Sequence, residues 1–240
     1  MSNQRPSQDN ALFWKATPRW ATWLDQLYSG RCRFCSAPAA NPDLCPGCRE
    51  DLPWITAACE TCAMPLASGA PRCAGCLTQP PPFDRALALW RYKQGIDTLI
   101  RQFKLNGDLS AGRMLTGLAA MSLARRNVRC AEPLVPMPLH PKRRRTRGFN
   151  QSAFIAERLG PTVADTLARR QRNSPPQRGL MAAARQRNLR DAFAVQGEPP
   201  TCVTIIDDVL TTGASAGALA RCLKDAGVSR VEVLVLARAI

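Results

Sequence analysis

Residues 203–215 carry the feature that most constrains the fold of this chain, an apolar strand that runs directly into two acids and a small loop. Four residues rich in β-branched side chains precede Asp207 and Asp208, and Gly213 stands at the centre of a turn before an alanine-rich helical segment. Open α/β sheets bind ligands at the carboxyl ends of their strands. The sequence therefore predicts an α/β domain with a binding site at this loop.

The chemistry of this junction favours a sugar phosphate. The free N–H groups and the dipole of a first helical turn bind an anion, and Gly213 lets the main chain approach it closely. Asp207 and Asp208 offer carboxylate acceptors for vicinal ribose hydroxyls. Further hydroxyl donors are predicted from Thr211, Thr212 and Ser215. The motif resembles the phosphoribosyl pyrophosphate (PRPP) signature of type I phosphoribosyltransferases, and the alternative is an ordinary strand-to-helix turn with two solvated acids.

Eight of the 11 cysteines occur as four Cys-x-x-Cys pairs before residue 77. Nine and ten residues separate the pairs within two sequential sets, which suits closed four-thiolate zinc sites. We therefore predict two structural zinc ions in a small module that needs metal to fold. Crossed pairing between the sets and a redox role for the dithiols are the alternatives. The predicted ligands are Cys32, Cys35, Cys45 and Cys48 in the first set and Cys59, Cys62, Cys73 and Cys76 in the second.

Positive charge is concentrated in one part of the chain. The formal net charge is +15, and residues 125–190 contain 16 basic residues against three acids. Such a field attracts polyanions or phosphorylated ligands, and the plainer interpretation is a solubilising surface.

A run of five cations follows the proline-stiffened strand end at residues 136–140. The run suits a pyrophosphate, and equally a flexible arm on a nucleic-acid backbone. The single histidine, His140, is a candidate phosphate contact or a structural turn residue. The five cations are Lys142, Arg143, Arg144, Arg145 and Arg147.

Changes in composition divide the chain into three predicted parts. Residues 1–30 form an amino-terminal arm, residues 31–81 a double four-cysteine zinc module, and residues 82–240 the α/β domain, with the boundary at three consecutive prolines. Strands that alternate with helices predict a mostly parallel sheet flanked by helices. Strands are predicted over residues 86–92, from residue 134, over 192–195, over 203–206 and over 231–236.

The order of these motifs resembles that of the ComF/GntX-type competence proteins, over about residues 31–240. The residues that carry the resemblance are the four Cys-x-x-Cys pairs, Pro-Met-Pro-Leu-His at 136–140, Arg-Gly-Phe-Asn-Gln at 147–151, the region 177–188 and residues 203–215. The resemblance implies a phosphoribosyltransferase-like fold with an amino-terminal zinc module.

The resemblance also implies roles for individual residues. Asp207 and Asp208 would hold the ribose hydroxyls, and residues 136–140 would lie where pyrophosphate loops lie, with Arg143 to Arg147 above them. Two departures concern Thr211, which stands where purine-salvage transferases have an acid that serves as base, and Met137, which replaces a small aliphatic residue. The 5′-phosphate would be cradled by Thr211, Thr212, Gly213, Ala214 and Ser215.

Two classes of function follow from these features. The resemblance implies a role in natural transformation, in which the protein handles incoming single-stranded DNA and works with other DNA-uptake proteins. The alternative is an active phosphoribosyltransferase with an unknown acceptor, which would bind PRPP together with magnesium. Since the sequence has neither a run of about 18 apolar residues nor the core of a signal peptide, we expect a cytoplasmic protein without membrane insertion.

Overall fold

The computed structural model describes residues 30–39, 43–67, 70–160, 162–171 and 192–240. The predicted amino-terminal arm up to residue 29 and the region at 177–188 lie outside the described residues. The chain forms two compact units that divide between Glu50 and Asp51. The predicted domain bounds at residues 30–31 and 81–82 stay a prediction.

The first unit, in its described part, is a cysteine-rich segment with little regular structure. Strands β1 (Gly30–Arg31) and β2 (Pro38–Ala39) pair in antiparallel fashion, and helix α1 (Pro46–Glu50) follows them. The buried side chains among its described residues are those of Cys32, Ala39 and Leu44. So small a core cannot stabilise a fold without a cross-link such as a metal ion.

Four parallel strands form the sheet of the second unit. They are β3 (Arg85–Arg91), β4 (Leu134–Pro136), β7 (Cys202–Leu210) and β8 (Arg230–Arg238), in the spatial order β3-β8-β7-β4. The two central strands are long and almost continuously apolar, as expected for strands that are covered on both faces. The last strand of the chain therefore lies inside the sheet, and the predicted α/β class with a parallel sheet is confirmed.

Helices and a second small sheet complete the second unit. Two short strands, β5 (Ala168–Arg170) and β6 (Phe193–Val195), pair in antiparallel fashion apart from the main sheet. No helix among the residues described is long and apolar enough to span a membrane. The helices are α2 (Ala74–Thr78), α3 (Ile96–Asn106), α4 (Leu109–Arg125), α5 (Pro141–Arg147), α6 (Gln151–Leu159) and α7 (Ala214–Asp225).

An aromatic cluster fixes three of these helices beside β7. The ring of Phe103 on α3 lies 5.4 Å from that of Phe149 and 5.1 Å from that of Phe154 on α6. Gly112 on α4 permits the contact, because a Cβ atom there would lie 2.5 Å from the Phe103 ring. The residue after Phe103 is Lys104, whose side chain reaches the sheet.

The second cysteine-rich segment belongs to the same unit as the sheet and is bonded to its edge strand β3. The main-chain N–H of Ile55 donates to the carbonyl of Leu89 at 2.9 Å, and that of Ala86 donates to the carbonyl of Glu60 at 3.3 Å. Ala63, between the cysteines, is buried in the core of the unit. These contacts make the segment part of the α/β structure.

Candidate functional site

The acidic pair lies in the part of β7 that extends beyond the end of the neighbouring strand β4. Pro136 pairs with Ile206 in the last register of β4, and the Met137 N–H donates to the Ile206 carbonyl at 2.8 Å. Among the described residues no strand pairs with β7 on that side beyond this point, so Asp207 and Asp208 lie at the carboxyl end of the sheet. This is the edge at which open α/β sheets bind ligands.

Asp208 is buried and bound to a lysine. Its side chain is 2% exposed, and Nζ of Lys104 lies 2.7 Å from Oδ2 and 3.0 Å from Oδ1. The Val209 N–H also donates to Oδ1 at 2.9 Å. Burial alone would lower the pKa of Lys104, but the charges of Asp208 and Asp207 raise it above its ordinary value. Lys104 and Asp208 therefore form a salt bridge whose carboxylate is shielded from solvent.

Asp207 is half-buried and has a different set of partners. Its Oδ1 accepts hydrogen bonds from the Ser152 hydroxyl at 3.0 Å and from the Asp208 N–H at 2.9 Å. Burial, followed by the neighbouring charge of Asp208, raises the pKa of Asp207 to about 7. The two adjacent acids thus differ: Asp208 is buried against its own lysine, and Asp207 titrates near neutral pH.

The loop after β7 has the geometry of an anion site. Gly213 adopts a left-handed conformation with φ of 76°, which glycine adopts without strain, and α7 begins at the next residue. Its carbonyl accepts the Gly217 N–H at 2.7 Å. Thr211 and Thr212 are exposed, and Ala214 and Ser215 are half-buried. A helix of twelve residues begins here and directs its free N–H groups towards this loop.

A buried arginine holds this loop through hydrogen bonds to its main chain. Arg238, at the end of β8, is 6% exposed. Its guanidinium donates to the Leu210 carbonyl at 2.9 Å and also to the carbonyls of Thr211 and Ala239. Its Nε donates to the carbonyl of Cys62, in the second cysteine segment, at 3.1 Å. Arg238 therefore joins the ligand loop to a predicted zinc-binding segment.

Helix α5 places the five cations on two different faces. Arg143 and Arg147, four residues apart, are half-buried, whereas Lys142, Arg144 and Arg145 are exposed. Residues four apart in a helix share one face, so the inner pair separates from the outer three. His140 precedes the helix and its Nδ1 accepts the Lys142 N–H at 3.2 Å, and the left-handed Gly148 follows the last helical residue. His140 is thus a helix cap.

The inner arginines approach the acidic pair. Arg147 donates to Oε1 of buried Gln151 at 2.6 Å. Burial lowers the pKa of Arg147, Asp208 acts in the opposite direction, and Arg143 adds repulsion. Burial, followed by repulsion from Arg143, lowers the pKa of Arg170 on β5, and Asp207 acts in the opposite direction. The guanidinium of Arg170 lies 5.4 Å from the Phe193 ring centroid. Arg147, Arg170 and Lys104 therefore act on the two acids, and Arg143 acts on both arginines.

A cleft of about 730 Å³ lies beside this charged centre. The turn at residues 138–141 forms one wall, and β5 with the residues that follow it forms another. Its polar lining includes Arg144, Asn150 and Arg170. Among the described residues, the acidic pair and residues 211–215 do not line it. The cleft therefore does not include the acidic pair or the Gly213 loop.

The eight cysteines form two clusters in sequential sets. Within each set all four sulfur atoms lie within 4.8 Å of one another. Cys35 Sγ lies 3.6 Å from Cys45 Sγ, and Cys62 Sγ lies 3.6 Å from Cys73 Sγ. A zinc ion bound by four thiolates at about 2.3 Å requires sulfur separations of about 3.8 Å. The donor sets fit structural zinc, and crossed pairing is not observed.

Three residues of the site were not predicted from the sequence, namely Lys104, Ser152 and Arg170. Lys104 lies in the last turn of an amphipathic helix, 103 residues before Asp207, and no sequence signal pairs the two. Ser152 directly follows Arg-Gly-Phe-Asn-Gln, so extending that motif by one residue would have included it. Of the predicted cations, Arg147 acts on the acids, Arg143 acts on Arg147, and Lys142, Arg144 and Arg145 are exposed.

Comparison with known proteins agrees with this architecture. A family profile described as "Double zinc ribbon domain" matches residues 23–77. The "DNA utilization protein YhgH" of Salmonella typhimurium is 31% identical, covering 88% of this chain and 98% of that protein. The chain belongs to the ComF/GntX-type family. The "Competence protein F" of Haemophilus influenzae is 29% identical over 89% of this chain and 99% of its own length.

A third relative matches a smaller part of the chain. The "Competence protein ComFC" of Streptococcus pneumoniae is 26% identical over 63% of this chain and 67% of its own length. The names of these relatives refer to competence and DNA utilization. The double zinc ribbon match and the two cysteine clusters together support two structural four-cysteine zinc sites in this chain.

Proposed function

We propose that this chain binds PRPP or a related ribose phosphate and handles incoming single-stranded DNA in the cytoplasm during natural transformation. The observation that carries the ligand assignment is the meeting of β7, the Gly213 loop and the inner face of α5. The carboxylates of β7 can accept hydrogen bonds from ribose hydroxyls, and an anion-binding region lies on each side of them, namely the Gly213 loop and the arginines of α5. This arrangement matches a sugar flanked by two phosphate groups. Other DNA-uptake proteins are the expected protein partners.

The chemistry of the site assigns a role to each part. Asp207 is the half-exposed acid and accepts a ribose hydroxyl, while the N–H groups and hydroxyls of residues 211–215 hold the 5′-phosphate. Arg143, Arg147 and Arg170 lie on the side where a pyrophosphate would extend. A planar guanidinium binds phosphate oxygens in pairs, which suits this role.

Calorimetric titration of the zinc-loaded chain with PRPP tests the ligand assignment. Asp207→Asn keeps the shape of the side chain but removes its charge, so we expect PRPP affinity to fall about tenfold or more. Asp225→Asn removes an exposed acid from the far end of α7 and serves as the control. Unchanged PRPP affinity in Asp207→Asn, with normal zinc content, would contradict the assignment.

The exposed face of α5 is the proposed contact for DNA. Its outer cations, Lys142, Arg144 and Arg145, are free of the acidic pair and present charge to solvent. Backbone contacts to single strands depend strongly on salt, so binding should weaken steeply between about 50 and 200 mM salt. The absence of binding at low salt, or salt-insensitive binding, would contradict the proposal.

A double variant sharpens this test. Arg144→Gln with Arg145→Gln should reduce the slope of log affinity against log salt by about 1.4, because each lost contact to single-stranded DNA contributes about 0.7. Arg113→Gln with Arg125→Gln removes the same charge from exposed positions of α4. An equal loss of slope in both double variants would mean that net charge alone governs binding.

An active phosphoribosyltransferase is the second candidate, and the cleft beside the 138–141 turn favours it because it offers room for an acceptor. A nitrogen nucleophile would attack the anomeric carbon of PRPP, pyrophosphate would leave with the bonding electrons, and the proton of the nucleophile would pass to solvent; magnesium bound with PRPP would supply charge neutralisation for the leaving group. Thr211 stands where related enzymes place a base, which supports binding more than turnover. Release of pyrophosphate from PRPP in the presence of candidate acceptors tests this function.

A further inference from the structure

The acidic pair of β7 has a cation built into the protein. Lys104 extends from the last turn of α3, which the packing of Phe103 against Phe149 and Phe154 holds in place. Its side chain is 33% exposed, against 2% for the Asp208 side chain that it binds. Of these two groups, a ligand can therefore reach the lysine and not the carboxylate.

This arrangement separates the roles of the two acids. Asp208 directs its oxygens to Lys104 and to the Val209 N–H, so it is not available to a ribose hydroxyl. Asp207 remains as the hydroxyl acceptor, oriented by the Ser152 hydroxyl. An ammonium has three donors, so Lys104 can hold Asp208 and still donate to an oxygen of the ligand.

The surrounding charge disfavours a second cation. Lys104 contacts Asp208, Arg147 acts on both acids and Arg170 acts on Asp207, so three positive side chains face the two acids. A divalent ion placed between adjacent acids usually neutralises them, but here it would enter a region that is already cationic. The same three cations favour a free phosphate dianion as the ligand.

We propose that Lys104 takes the place of a divalent metal at the acidic pair, so that the site binds a ribose 5-phosphate group without magnesium. This inference rests on the proposed ribose-phosphate function and specifies the form of its ligand. The chemical class is a phosphomonoester of ribose, as in free ribose 5-phosphate. Ribose 5-phosphate is the suitable probe because, unlike PRPP, it carries no pyrophosphate that brings its own magnesium.

The test is calorimetry of the full zinc-loaded chain with ribose 5-phosphate. One titration uses buffer passed over a chelating resin, and the other uses the same buffer with millimolar magnesium; soluble chelators are avoided because they would remove zinc. We expect the two dissociation constants to agree within about threefold. A larger gain in affinity with magnesium overturns the inference.

A matched pair of variants tests Lys104 itself. Lys104→Met keeps a long apolar chain but removes the charge, so magnesium-free affinity should fall about tenfold or more, and magnesium should restore part of it. Lys224→Met breaks a similar pair, in which Lys224 Nζ lies 2.7 Å from Asp84 Oδ1 away from the site, and should leave binding unchanged. Wild-type affinity in magnesium-free Lys104→Met overturns the inference.

The outcomes distinguish this inference from the proposed function. If the wild-type chain binds ribose 5-phosphate only with magnesium, the ribose-phosphate function stands and the role of Lys104 fails. If it binds in neither buffer, this inference fails, and the PRPP titration described above decides whether the proposed function stands. Removing Lys104 leaves a buried carboxylate without its cation, so the variant can lose its fold. In that case the wild-type comparison with and without magnesium decides alone.

Discussion

The two cysteine clusters have nearly the same sequence pattern and sulfur geometry, but they differ in their surroundings. The closest distances quoted above, Cys35 to Cys45 and Cys62 to Cys73, are both 3.6 Å between sulfur atoms. The first cluster lies in a unit whose described part buries three side chains. The second is hydrogen-bonded to strand β3 and, through Arg238, to the ligand loop.

This difference shows that the sequence pattern of a metal site does not determine how much of the surrounding structure the metal ion stabilises. The extent depends on which main-chain groups and side chains the cluster holds in place. In the second cluster the Cys62 carbonyl, one residue before core residue Ala63, accepts from the arginine that also binds the Leu210 carbonyl. Zinc in the second cluster should therefore stabilise the sheet and the site, whereas zinc in the first should stabilise its own unit.

The largest expected effect comes from removing one ligand of each cluster. Cys73→Ser and Cys45→Ser change the third ligand of each set, and both residues are half-buried. Because metal loss is among the most severe perturbations, Cys73→Ser should lower the free energy of unfolding of the α/β unit by more than about 4 kcal/mol, and Cys45→Ser by less than about 0.5 kcal/mol. Denaturant unfolding followed by circular dichroism measures both.

Zinc content is the control for this pair. Each variant should lose one of the two zinc ions, so that equal metal loss accompanies unequal loss of stability. Equal destabilisation of the α/β unit by the two variants would show that the two clusters do not differ in their effect on that unit.

A second pair compares the apolar contacts around the clusters. Ile55 is 4% exposed in the core of the second unit, and Leu44 is 5% exposed in the first. Ile55→Ala should cost the α/β unit about 2–5 kcal/mol, because truncation leaves a cavity in a packed core. Leu44→Ala should leave the unfolding of the α/β unit unchanged and weaken only zinc retention by the first cluster. Competition with a colorimetric zinc chelator measures that retention.

Sequence patterns predicted the parts of this molecule that depend on local chemistry. The eight cysteines were predicted as ligands because spacing alone brings two thiolates to one metal ion, and the sequential sets were the simpler of two arrangements. The strand, loop and helix around Gly213 were also predicted, since turn chemistry and apolar periodicity are local properties. The α/β class followed from the alternation of strands and helices.

Long-range contacts were beyond the sequence patterns. The contact of Lys104 with Asp208 joins residues 104 positions apart, and that of Arg238 with Cys62 joins residues 176 apart. Both depend on tertiary packing rather than on a motif. The run of five cations was predicted as one group, but the helical period divides it into two faces. The inner face is the one proposed for pyrophosphate, and the outer face is the one proposed for nucleic acid.

The link between the second cluster and the ligand loop can be tested at Arg238. Arg238→Met would leave buried carbonyls of Cys62 and Leu210 without their donor, which should cost about 1–3 kcal/mol and weaken ribose 5-phosphate binding. Arg126→Met is the matched control, since its guanidinium donates to the Ile55 carbonyl at 3.1 Å far from the loop. If both variants bind ribose 5-phosphate as the wild type does, the proposed link has no functional effect.

The smallest expected effect is a dependence of stability on pH that belongs only to the α/β unit. The folded pKa of Asp207 is raised from 3.8 to about 7, so the folded state favours the protonated acid. Its contribution to stability is therefore fully present below the unfolded pKa and is lost as pH rises towards 7, and roughly 1 kcal/mol of that loss falls between pH 6 and 7. The first unit has no counterpart of this acid among its described residues, where Asp43 and Glu50 are exposed.

Asp207→Asn isolates this effect. The amide does not titrate, so the variant should gain stability relative to the wild-type protein as pH rises from 6 to 7, and the difference should then stay constant. Comparing the two proteins at each pH cancels the weakening of zinc–thiolate bonds in acid, which they share. Asp208, Lys104, Ser152, Arg147 and Arg170 surround the acid and remain in place. A difference in stability that does not change with pH would mean that Asp207 is ionised throughout, held so by Lys104 and the arginines.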